Sequence, residues 1–149
     1  MNRNLPILSL ILLTILSGYL SAQPASKSGS ASLEIILVEA SNSGGGIDRS
    51  LQPYAGNLKR LFRFDSYREV QRSQTRLDLP GSTNLSLKNG TTLQIKGSND
   101  GQTLQADLNW KRKGSSLLHT NLRLKKGTPA VLGGPRSKNG SYLLIITRK

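Results

Sequence analysis

With 149 residues and a formal net charge of +13, the chain has room for one domain with a modest core and a charge balance that attracts polyanions. It contains no cysteine, which excludes a disulfide framework and a lipoprotein anchor, and its single histidine excludes a zinc site built from several His and Cys ligands.

The chain starts with one charge at Arg3, an apolar run from Leu5 to Leu20, and the small pair Ser21-Ala22. That order is the layout of a secretory signal peptide cut after Ala22. An uncleaved anchor is the alternative, since no charge lies between Arg3 and Lys27. A spanning helix, however, wants roughly 20 predominantly apolar residues, and this core is shorter. Residues 1–22 therefore read as a leader, 23–31 as a flexible Ser/Ala/Pro-rich linker, and 32–149 as a single β-rich domain. Small secreted eukaryotic domains usually lean on disulfides. A cysteine-free exported chain reads instead as bacterial, placed in the periplasm or secreted, with no stable membrane span once the leader is cleaved.

Leu33 to Val38 is a compact, β-branched apolar run and reads as a buried strand. Gly44-Gly45-Gly46 follows; it lacks the Lys-Ser/Thr ending of a phosphate loop and reads as a strand-to-helix connection. Asp48 is placed to cap a helix over Arg49 to Leu61, with Leu51, Tyr54, Leu58, Leu61 and Phe62 at helical spacing. Pro53 is tolerable in its first turn. Ser66 to Gln71 and Thr75 to Leu79 form one long strand or two short ones, ended by Pro80-Gly81. Period-two alternation then recurs over Leu85–Lys88, Leu93–Lys96, Leu104–Lys111 and Leu118–Leu124, which implies antiparallel sheet with one buried and one wet face. Gly133-Gly134-Pro135 reads as a turn, and Tyr142–Thr147 as a central strand.

Parity sets the hairpins. A two-residue Asn89-Gly90 loop would put the leucines of paired strands on opposite faces, so a three-residue loop Lys88-Asn89-Gly90 with Gly90 left-handed is expected, pairing Leu85 with Leu93. The same test predicts an odd-length loop Lys113-Gly114-Ser115, with Trp110 buried opposite Leu118 and Leu108 opposite Thr120. The expected fold is mainly β: an antiparallel β-sandwich or small barrel of about seven or eight strands with one short helix.

Little in the sequence nominates catalysis. His119 lies on a polar strand face with no second His or Cys to work with. Glu34 and Glu39 are separated by an odd number and point to opposite faces of a regular strand, and Gly-x-Ser-x-Gly is absent. The chain reads as a non-enzyme with no cofactor and no metal. A deep pocket gathering Glu34 or Asp107 with His119 would revive an enzymatic reading. The candidate anion- or partner-binding residues are Lys59, Arg60, Arg63 and Arg68, interleaved with Phe62, Phe64 and Tyr67, together with Lys111, Arg112 and Lys113 at a hairpin tip. Packing into a small core is the competing role for the two Phe rings. Lys125-Lys126 sits at the opposite end of that hairpin, so the charge reads as spread along the molecule.

The C-terminal phrase Lys126-Gly127-Thr128-Pro129-Ala130-Val131-Leu132-Gly133-Gly134-Pro135, followed by Ser141-Tyr142-Leu143-Leu144-Ile145-Ile146-Thr147, resembles the tail of the secretin core domain. That family tends to show Gly-Thr-x-Val-Leu-Gly-Gly and then a Leu-Leu-Ile-Ile-Thr strand. Leu33 to Ala40 is similar to the strand on which it carries a Val-Glu-Ala or Leu-Glu-Val phrase. The chain is too short for a pore-forming core with its periplasmic modules, and no membrane-inserting hairpin is evident. The resemblance implies a small exported β-domain of the bacterial envelope serving a secretion or pilus system. The expected function is a non-enzymatic binding or assembly module with an envelope protein partner. The alternative is a basic polyanion binder acting on nucleic acid or lipopolysaccharide.

Overall fold

The computed structural model describes residues 29–149 except residue 101 and the side chain of Asp100. The leader and most of the linker, residues 1–28, lie outside the described residues. Among those described, nine strands form two sheets: β1 (Gly29–Ser41), β2 (Gly46–Ile47), β3 (Ser66–Leu79), β4 (Gly81–Leu87), β5 (Thr91–Asp100), β6 (Thr103–Arg112), β7 (Ser115–Lys125), β8 (Pro129–Arg136) and β9 (Gly140–Arg148). A 3-10 segment, Arg49–Tyr54, runs into a short helix α1, Ala55–Leu61. One sheet has the order β2-β3-β1-β9-β8 and the other β4-β5-β6-β7. All the pairings are antiparallel except the short parallel contact of β2 with β3. The architecture is the expected mainly β sandwich, with a helical layer on the outside of the larger sheet.

Two cores follow from the alternation of β1. Leu33, Ile35 and Leu37 face the second sheet and pack with Leu93, Ile95, Leu104, Leu108 and Trp110. Ile36, Val38 and Ala40 face the other way and pack under Leu51, Tyr54, Leu58 and Tyr67. A strand buried on both faces reads as a continuous apolar run. That is why Leu33–Val38 and Tyr142–Thr147 lack alternation; β9 lies between β1 and β8.

The hairpin reasoning is correct for one loop and half correct for the other. Leu85 pairs with Leu93, Leu87 closes on Thr91 around Lys88-Asn89-Gly90, and Gly90 has φ +76°. Trp110 is 1% exposed and opposes Leu118, and Leu108 opposes Thr120. The connecting loop, however, has two residues: Arg112 pairs with Ser115 around Lys113 (φ 48°) and Gly114 (φ 81°). The parity is restored by a bulge at Leu117, where the register moves between Trp110–Leu118 and Lys111–Ser116. An extra residue in one strand inverts faces as effectively as an odd loop.

Five further expectations are corrected. The strand β1 begins at Gly29, inside the stretch read as linker, and Ala31 is buried. The helix is split, because Pro53 supplies no N–H and crowds the preceding turn, so the first part tightens to 3-10. Asp48 makes no side-chain cap; its carboxylate accepts the backbone N–H of Glu69 at 2.8 Å, tying the loop to β3. Leu61, assigned to the apolar helical face, is 53% exposed. Gly133-Gly134-Pro135 lies within strand β8. A Cβ on Gly133 would meet the Phe62 ring at 3.2 Å, and one on Gly134 would lie 1.9 Å from Trp110. These glycines let two rings approach an edge strand closely, and Pro135 sits at its bulge, where no ladder donor is needed.

Candidate binding surfaces

Register places three hairpin tips at one end of the sandwich. Thr92 pairs with Lys111, which sets the β4–β5 tip beside the β6–β7 tip. Trp110 packs on Gly134, which brings the end of β8 and the β8–β9 tip alongside. The tips are held firmly. Trp110 Nε1 donates to Thr91 Oγ1 at 2.6 Å, and the Ser137 amide donates to the Gly140 carbonyl at 3.0 Å. They carry Lys88, then Arg112 and Lys113, then Arg136 and Lys138, all exposed. No carboxylate lies on these tips, and none of the five cations forms an ion pair among the described residues.

The predicted site residues divide around this end. Arg112 and Lys113 belong to it. Lys111, next to them, is half-buried and donates to Gln94 Oε1 at 3.1 Å. Lys59 and Arg60 lie exposed in the last turn of α1, and Arg63 is exposed just beyond it. Phe62 and Phe64 pack into the outer core, Phe64 edge-on to Tyr67 with centroids 6.4 Å apart. Both rings are half-buried against this core, in line with the packing alternative. Arg68 is exposed but bound to Glu39; that contact raises the guanidinium pKa. The sequence reading missed Lys88, Arg136 and Lys138, because nothing in one dimension brings residues 88, 113 and 138 to one end. Lys125 and Lys126 are at the opposite end, with Arg148 beside Lys126. Cations thus gather at both ends, with others such as Lys96 and Arg123 on the strands between them.

Glu34 and Glu39 lie on opposite faces of β1, as the spacing predicts. Glu34 is 6% exposed under the helical layer, where it accepts from Tyr54 Oη at 3.0 Å and pairs with Lys149 at 3.0 Å and Arg72 at 3.3 Å. Burial pushes its carboxyl up. The hydrogen bonds from Lys149 and Tyr54 and the charges of Lys149 and Arg72 outweigh burial and hold it below the usual carboxylate range. Arg72 also grips Glu69 at 2.7 Å and the Ser50 carbonyl at 3.2 Å. The cluster ties β1, β3, the 3-10 segment and the C-terminus together.

His119 meets Asp107 at 3.0 Å on the solvent face of the four-stranded sheet. The structure thus brings together the pair named as a condition for catalysis, on an open face. Among the described residues no hydroxyl is bonded to the imidazole, and no group of three His, Cys, Asp or Glu could hold a metal ion. Beside the pair runs a groove of about 580 Å³ lined by Lys96, Ser98, Gln105, Asp107, Asn121 and Arg123, together with Gly97, Ala106 and Leu122. No helix among the described residues is long and apolar enough to cross a membrane. The chain matches no family model, no curated protein and no solved structure.

Proposed function

We propose that the chain is an exported, non-enzymatic binding or assembly module of the bacterial envelope, serving a secretion or pilus system, that docks by its basic end onto an acidic face of a protein partner. The observation that supports it is the convergence of five unpaired cations on three braced tips. Two large hydrophobics are exposed among the described residues. Leu61 ends α1 next to Phe62, which packs on β8, and Leu117 (40% exposed) is the bulge behind the β6–β7 tip. Charge complementarity steers association, and a few buried apolar anchors supply affinity.

The test is affinity capture of the tagged protein from its own cells, with washes at low and high salt, against a variant carrying Lys88→Gln, Arg112→Gln, Lys113→Gln and Lys138→Gln. A protein partner kept by the native chain and lost by the variant is expected. Equal capture by both would refute docking through this end. The second reading, a polyanion binder, draws support from the basic character of both ends. It predicts nucleic acid or lipopolysaccharide on the column, lost steeply with salt because counterion release dominates such binding. Export is checked by N-terminal sequencing of the protein from its cells, with Gln23 expected first; an intact Met1 would refute cleavage.

A further inference from the structure

The solvent face of the four-stranded sheet carries a pattern that folding does not require. Register lays its outward side chains in rows across β5, β6 and β7: Ser98–Gln105–Arg123, then Lys96–Asp107–Asn121, then Gln94–Asn109–His119. No apolar side chain interrupts them. Asn and Asp are depleted in strands, where Thr or Val would fit a merely solvated face better. Here Asp107, Asn109 and Asn121 occupy mid-strand positions. The groove cut across the first two rows falls within the range of ligand sites, about 300–1,000 Å³.

We propose that this groove binds an acidic polysaccharide, one that presents a carboxylate on alternate sugars. Lys96 and Arg123 flank it from β5 and β7, and neither has a hydrogen-bond or ion-pair partner among the described residues. They stand two strand spacings and one row apart, about 12 Å between backbones. At that separation they meet two different anionic groups of one extended ligand. Between them lie Asp107 and Asn121, whose carboxylate and amide exchange hydrogen bonds with sugar hydroxyls. Asp107 also selects the ligand class. A carboxylate between the two cations repels a phosphodiester strand, whose charges are closely spaced. It accepts hydroxyl donors from a chain whose charges are sparse. The groove is separate from the basic end, so this inference stands or falls independently of the proposed docking.

Titration calorimetry with a hyaluronan octasaccharide at low salt tests it, with a neutral maltooligosaccharide and a single-stranded oligonucleotide as comparison ligands. Binding by the native protein is expected, weakened tenfold or more by Lys96→Gln and by Arg123→Gln, and unchanged by Arg49→Gln in the exposed 3-10 segment outside the other sheet. Unaltered melting temperatures would show that the groove variants fold. Absence of binding, equal binding of the neutral sugar, tighter binding of the oligonucleotide, or a loss that follows Arg49→Gln instead of Arg123→Gln would each overturn the proposal.

Discussion

Gly134→Ala should be one of the most damaging single-methyl additions this domain can receive. The new Cβ would lie 1.9 Å from Trp110 Cζ3, 2.2 Å from Cη2 and 2.8 Å from Cε3. Carbon atoms rest about 3.5–4.0 Å apart, so β8 and the ring must separate by about 2 Å. Trp110 has no free volume to enter: it is buried in the core between the sheets and pinned through Nε1 to Thr91. Overpacking typically costs about 1–3 kcal/mol, and stretching the buried Trp110–Thr91 bond adds about 1. The expected loss is about 3 kcal/mol, or roughly 10 °C in Tm for a domain of this size. Urea denaturation followed by circular dichroism measures it. Trp110→Phe in the same background gives the second arm. A smaller ring relieves the overlap, so the double variant should be more stable than the sum of the two single losses by about 1 kcal/mol or more. A Gly134→Ala protein within about 0.5 kcal/mol of native, or strict additivity with Trp110→Phe, would refute the packing account of this seam. Because the seam aligns two of the three basic tips, Gly134→Ala should also weaken partner capture.

Acid should destabilise the fold. Glu69 is lowered by Arg72, and Glu39 by Arg68, in each case against burial, while Glu34 is lowered despite a larger burial effect. Depressed carboxyl pKa values give stability that is present above the unfolded value of about 4.3 and lost as pH falls through the folded values. Tm should be flat from pH 7 to 5 and fall below about 4.3, less steeply in Glu34→Gln; a Tm that rises on acidification would contradict the four ion pairs of these carboxylates. Thr147→Val should be neutral or stabilising by up to about 1 kcal/mol in urea titration, since the buried Thr147 hydroxyl has no hydrogen-bond partner among the described residues. Gly56→Ala in α1 has open space around its Cβ and should stabilise by about 0.5 kcal/mol; a loss of stability would show that this turn is not helical in solution.

The sequence by itself determined the strand class, because period-two alternation over Leu85–Leu124 permits little else, and it determined the register of the β4–β5 hairpin, because only one loop length keeps both sets of leucines on one face. It determined that Trp110 is buried and that Glu34 and Glu39 occupy opposite faces of β1. Tertiary structure decided the rest. The bulge at Leu117 substitutes for an odd loop, and alternation cannot distinguish the two. β8 was hidden by Gly133 and Gly134, whose missing side chains signal a turn locally but in the fold make room for Phe62 and Trp110. The basic end, and the groove between Lys96 and Arg123, exist only once strands distant in sequence lie side by side. Charge is visible residue by residue along a chain, whereas its concentration is a property of which tips the sheets bring together.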